Sequence, residues 1–175
     1  MDGKKKGTKI MEIRTGYKLF RQDKDGNLHP LYVLSKDIIP VGEWVLAKDN
    51  PPMTDKGKVK GKMELHYRPG FHIAGLRPYA PQITKVDGCV WCKVEYCADI
   101  DYNEEAQKNG TNKNGKIIPI KSELDRLPYM GYYYFKTSWK QEEPWIICDR
   151  IKVTEILSWE EVNRLNKEFL ERKVN

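Results

Sequence analysis

No apolar run in this 175-residue chain approaches the ~20 residues of a membrane span. Its opening residues, MDGKKKGTK, lack the apolar core of a signal peptide. The expectation is a soluble protein of the cytoplasm, with no membrane among its partners. Glycine-rich phosphate cradles are missing too. Neither G-x-x-x-x-G-K-[ST] nor G-x-G-x-x-G occurs, and GKVKGK at 57–62 is a charged loop without strand-to-helix context. There is no G-x-S-x-G nucleophile motif. Three His and four Cys leave little material for a metal centre, and no cofactor is expected. Cys89 and Cys92 have C-x-x-C spacing, but there is no second such pair. Cys97, Cys148, His66 or His72 would have to be recruited from afar. In a strand, Cys89 and Cys92 point to opposite faces. All four cysteines are expected as free thiols.

Charge and aromatic rings are plentiful. Charged residues make up 32% of the chain, against 39% hydrophobic, and the net charge is +6. Ten Tyr and five Trp supply efficient core and contact surface. Much of the positive excess sits in a basic tail, residues 1–15, and in KDNPPMTDKGKVKGK, 48–62. Both read as solvated segments, with nucleic-acid binding as a weaker reading. The pairs Glu104–Glu105, Glu142–Glu143 and Glu160–Glu161 read as loop or helix-terminus acids rather than catalytic couples.

Alternation and turn signals predict strands. YKLFRQ, 17–22, and LHPLYVL, 28–34, flank an Asp-Gly turn and form a hairpin weakened by Pro30. A short strand follows at 43–47. CVWCKVEYC, 89–97, is the clearest strand, with Val90, Cys92, Val94 and Tyr96 on one face. GYYYFKTSW, 131–139, and PWIICDRIKVTEIL, 144–157, supply more, the latter bending at Asp149-Arg150. The stretch 101–116 reads as an Asn/Gly-rich surface loop with at most a helical turn. Ser158 with Glu161 forms a capping box, and Trp159, Val162, Leu165 and Phe169 recur at helical spacing. The expected class is α+β: one domain over 16–175, mostly antiparallel sheet, closed by an amphipathic helix at 158–172.

One corner invites function. In RPGFHIAGLRPYAPQI, 68–83, Arg68, His72 and Arg77 stand within ten residues, near Phe71 and Tyr79. Arginine forks suit phosphate or carboxylate, and aromatic faces suit a base. Arg68, His72 and Arg77 are the expected charge holders. Tyr17, Arg21, Trp44 and Trp91 are the expected lining of an anionic, nucleotide-like ligand.

The motifs YKLFR, G-x-L-x-P-L-Y-V, IPVGEW, RPGFHIA, APQI and VWCKVEY occur in that order over roughly 16–100. In that pattern the chain resembles a group of small proteins of tailed bacteriophages and prophages. DRIKVTEILSWEEV resembles the closing strand and helix of a related phage domain. The resemblance implies an accessory role in the infected cell's cytoplasm, and no set chemistry. Non-catalytic binding of a nucleotide-like signal, or of a host protein, is the leading expectation. The alternatives are an enzyme resembling an ADP-ribosyltransferase, using Arg21, the GFH strand and Glu95, and a nucleic-acid-binding or minor virion protein. Monomer and dimer are equally compatible with the sequence.

Overall fold

A computed structural model describes residues 11–31, 36–48, 58–59, 65–66, 68–80, 87–118, 121–138 and 140–174. In chain order the elements are β1 (Ile13–Gln22), β2 (Leu28–His29), β3 (Trp44–Leu46), β4 (Lys58–Val59), β5 (Leu65–His66), β6 (Phe71–Ala74), β7 (Cys89–Cys97), β8 (Ile100–Asp101), α1 (Asn103–Asn109), β9 (Gly131–Phe135), β10 (Trp145–Cys148), β11 (Arg150–Ile156) and α2 (Trp159–Val174). The class is α+β, with a mostly antiparallel sheet and a C-terminal helix, as the alternation pattern predicts.

The longest ladder joins β1 and β7, antiparallel from Ile13 opposite Cys97 to Arg21 opposite Cys89. In this register Phe20, Cys92, Val94 and Tyr96 fall on the inner face, while Leu19 and Trp91 fall on the other, which is also covered. The strand order is β3-β11-β7-β1-β6-β10-β9-β8, with β2 added to the end of β1, while β4 and β5 pair with each other in a separate two-stranded sheet. β8 follows β7 after only Ala98 and Asp99, and it lies parallel to β9. The sheet therefore curls until its far side meets the continuation of β7. Tyr96 and Tyr132 confirm the curl: their rings sit 6.1 Å apart although three strands separate theirs in the order.

Phe20, Ile73, Cys92, Val94, Tyr96, Ile146, Cys148, Ile151 and Val153 fill the inside of the curl. Such side chains contribute about 1.5–3 kcal/mol each on full burial. The other face carries Leu19, Ala74 and Trp91, which α2 covers with Val162 and Leu165. Nearby, α1 places Ala106 against Tyr133, Phe135 and Ile147.

Several boundaries move. β1 starts at Ile13, so the last residues of the expected tail belong to the sheet. The second strand of the hairpin is only Leu28–His29, because Pro30 cannot donate to a ladder. The 101–116 stretch holds the end of β8 and a two-turn helix. The 144–157 stretch is two strands broken at Asp149, and β10 and β11 join different parts of the sheet. Residues 1–10 and most of 48–62 lie outside the described residues. Among the described residues no helix is long and apolar enough to cross a membrane.

Candidate functional site

The corner begins at Gly70, whose φ is +126°. A Cβ there would stand 2.7 Å from Ile147 Cγ2 and 2.9 Å from the Cys148 carbonyl oxygen. Glycine alone allows the chain to lie against β10 before β6 begins. The two Arg-Pro pairs close the corner, with Pro69 and Pro78 almost fully buried.

Arg68 lays its guanidinium 3.7 Å over the Phe135 ring. Its Nε is 3.1 Å from a Glu123 carboxylate oxygen. Burial pushes its pKa down, and Glu123 opposes that. His72 lies edge-on to Trp145 at 6.4 Å between ring centroids. Burial first, then the positive charges of Lys18 and Arg68, lower its pKa to about 3. The imidazole is neutral at physiological pH. Arg77 lies past the end of β6. It donates from Nε and Nη2 to the Glu143 carboxylate at 2.7–3.1 Å. Its guanidinium is held between the rings of Tyr79 at 4.0 Å and Phe169 at 4.8 Å. Asn166 of α2 donates to the Pro78 carbonyl at 3.2 Å, tying the helix to the same bend.

Beside Arg77 is a shallow cleft of about 250 Å³, counting the open solvent at its mouth. Leu76, Tyr79, Glu143 and Trp145 line it. Leu76 is 58% exposed and Tyr79 42%.

The structure divides the seven residues expected at the site. Arg68 and His72 interact electrostatically, and Tyr17 stands opposite Ala74, the strand-mate of His72. Trp91 is only 4% exposed, buried under α2. Trp44 sits on β3 at the edge of the sheet, with Lys152 5.5 Å from its ring centre. Arg21 ends β1, opposite Cys89 and His29. Arg21 and Glu95, paired in the transferase-like layout, stand at opposite ends of the β1–β7 ladder. Six residues of strand separate their levels, roughly 20 Å.

Other sequence candidates have structural partners. Cys89 faces the helix side and Cys92 the inside of the curl. Among the described residues no group of three His, Cys, Asp or Glu is placed to hold a metal. Burial pushes the thiols of Cys92, Cys97 and Cys148 up, Cys92 to about 12, which suppresses thiolate chemistry. Glu105 pairs with Arg126, Glu142 with Lys173 and Glu161 with Arg164.

Sequence reasoning missed the partners of the arginines: Glu123, Phe135, Glu143 and Phe169. No local signal marks them, because each arrives from a distant element. Lys18 was also missed, and it did leave a signal. It shares the alternation of Phe20, and so falls on the inner row of β1 beside that buried ring. The chain was compared with known protein families, curated proteins and solved structures, and it has no match in any of the three.

Proposed function

We propose that this chain is a binding protein that holds an anionic, nucleotide-like ligand against the 75–79 corner without transforming it. The setting proposed is the cytoplasm of a phage-infected cell, where the protein would sequester a signal of host defence. That setting rests on the motif resemblance. The observation that carries the binding reading is Arg77, clamped between two rings and a carboxylate at the edge of the cleft. A guanidinium fixed in this way loses little freedom when a ligand arrives. A guanidinium carries five N–H groups, and the bonds to Glu143 use Nε and Nη2. Tyr79 and Trp145 line the same cleft and supply aromatic surface there. A second reading, capping of a host protein, draws on the exposure of Leu76 and Tyr79 on one well-anchored bend.

The test is thermal unfolding of the whole chain with NAD, ADP-ribose and cyclic oligonucleotides. Ligand at ~100 times Kd stabilises by about 2.7 kcal/mol. For a chain of this size that raises Tm by roughly 5–10 °C. The shift is expected with one nucleotide class, reduced in Arg77→Gln and lost in Tyr79→Ala. Arg68→Ala and His72→Ala report whether the inner part of the corner takes part. No shift with any of these ligands, or a shift that survives both Arg77→Gln and Tyr79→Ala, overturns the reading.

A further inference from the structure

The dipeptide Asn-Gly occurs twice in this chain, at Asn109-Gly110 and Asn114-Gly115, and lysine precedes it both times. Asparagine before glycine is prone to intramolecular attack. The glycine nitrogen reaches the asparagine carboxamide carbon with no side chain of its own in the way. Because Lys-Asn-Gly stands at both places, the folded structure has to set them apart.

Asn109 is the last residue of α1. Its carboxamide nitrogen donates to the Glu123 carbonyl at 3.0 Å. The Gly110 N–H is shared between the Ala106 and Gln107 carbonyls at 3.2 and 3.1 Å. Gly110 is buried, and a Cβ there would stand 2.8 Å from the Lys121–Ser122 peptide. Ring closure requires the asparagine backbone to rotate until its Cβ and the next nitrogen share a plane. Helical backbone held by these bonds does not reach that arrangement.

Asn114 stands in the turn between Thr111 and Ile117, which bridge one another. The Asn112 carboxamide oxygen accepts from the N–H groups of Asn114 and Lys116 at 2.9 and 3.0 Å, which shapes the turn. Gly115 has a φ of +79°, and both Asn114 and Gly115 are exposed. The Gly115 N–H donates across the turn to the Asn112 carbonyl at 3.0 Å. Among the described residues no hydrogen bond holds the Asn114 carboxamide. Opening one exposed turn bond frees the nucleophile, and that costs far less than unfolding.

We propose that Asn114 is a site of spontaneous deamidation, while Asn109 is protected by the end of α1. The Gly115 nitrogen loses its proton to hydroxide and forms a bond to the Asn114 carboxamide carbon. The bond from that carbon to the carboxamide nitrogen breaks, and the nitrogen takes up a proton and leaves as ammonia. A succinimide remains. One water opens it at either carbonyl, giving aspartate or isoaspartate. Atoms balance as asparagine plus water giving acid plus ammonia, and no oxidant or reductant is needed. The stretch 106–122 holds Lys108, Lys113, Lys116 and Lys121 and no acid, so the product puts a carboxylate between Lys113 and Lys116. Isoaspartate also adds a methylene to the backbone inside the turn. The site is distinct from the corner, so it stands or falls apart from the function proposed above.

The experiment ages the full chain at neutral and at mildly alkaline pH and follows each asparagine by peptide mapping. A second sample is aged unfolded in denaturant. In the folded chain Asn114 should convert at least about tenfold faster than Asn109, since misplacing reacting atoms by ~1 Å can cost about 10²-fold. Isoaspartate should be among the products, and the rate should rise with pH. In denaturant the two asparagines should convert at similar rates. Equal rates in the folded chain, faster loss of Asn109, or an Asn114 that persists while the unfolded chain converts overturns the proposal. So does the same ratio of rates in denaturant, which would assign the difference to sequence, and so does aspartate formed without isoaspartate. Because the map is read on the unmodified sequence, it needs no variant to fold.

Discussion

At the scale of single residues, two buried bases decide how stability responds to pH. His72 has a folded pKa of about 3, against 6.5 in the ordinary case. Below pH 6.5 the unfolded chain binds a proton that the folded chain refuses, so stability falls as pH falls from 6.5 toward 3. The loss should be on the order of a few kcal/mol by pH 4. His72→Gln should flatten the denaturant-midpoint profile over that window, and an unchanged slope would refute this account. Lys18 behaves likewise at higher pH. Its folded pKa is about 8 against 10.5, so its destabilising effect is complete below pH 8 and fades as pH rises to 10.5. An unpaired buried charge is often better replaced by an apolar side chain of similar volume. Lys18→Met should therefore stabilise the fold at pH 7 by about 1–3 kcal/mol, read by chemical denaturation. Gly70 is the opposite case. Gly70→Ala combines a positive φ with a Cβ 2.7 Å from Ile147, and should destabilise by about 3 kcal/mol or more.

At the scale of elements, α2 shows how a sequence signal can be half right. Ser158 caps the helix, its hydroxyl oxygen accepting from the Glu161 N–H at 3.1 Å. The reciprocal half of the capping box is not made. The Glu161 carboxylate instead pairs with Arg164, which also reaches Glu168. Removing the cap should cost about 1 kcal/mol in Ser158→Ala. Glu161→Ala should cost clearly less, because its exposed i,i+3 pair with Arg164 is screened by solvent. Equal losses in thermal denaturation would mean that the box forms in solution. The stripe of Val162 and Leu165 packs on Leu19 and Trp91 as helical spacing predicts. Trp159 is 42% exposed, so the first turn leaves a large ring at the surface.

At the scale of the whole molecule, one buried acid stands where the sheet closes. Asp149 is 3% exposed at the bend between β10 and β11. Its carboxylate accepts from the Met130 N–H at 3.0 Å and pairs with Arg150 at 2.8 Å. Met130 is held at φ 55°, an uncommon conformation for a side-chain-bearing residue. Its carbonyl oxygen accepts from the Ile100 N–H, where β8 meets β9. Next to it, Gly131 lies so close to the Ile100 carbonyl oxygen that a side chain has no room. Asp149→Ala leaves the Arg150 guanidinium and the Met130 N–H without this acceptor. It should cost about 2–4 kcal/mol. It should also speed hydrogen exchange first at Ile100 and Tyr102, whose amides bond to Met130 and Tyr132. Uniform acceleration across β1 and β7 would show that Asp149 serves global stability rather than closure.

The division between sequence and tertiary structure follows from the range of the forces involved. Alternation in β1 and β7, the turn at Asp25-Gly26, the bend at Asp149, the opposed faces of Cys89 and Cys92 and the Ser158 cap are short-range matters. They depend on side-chain period and local backbone bonding, and the amino-acid sequence alone determined them. It also marked the 68–77 corner as a place where charge, rings and prolines converge. Tertiary structure decided what those charges meet. Glu123 reaches Arg68 across 55 positions and Glu143 reaches Arg77 across 66, a pairing that only the curl of the sheet can specify. It decided that Trp91 is core, that Trp44 belongs to a far edge, and that the inward row of β1 seats a lysine with no carboxylate partner among the described residues. Long-range contacts of this kind leave no periodic trace, because the partners are chosen by the path of the sheet and not by their neighbours in the chain.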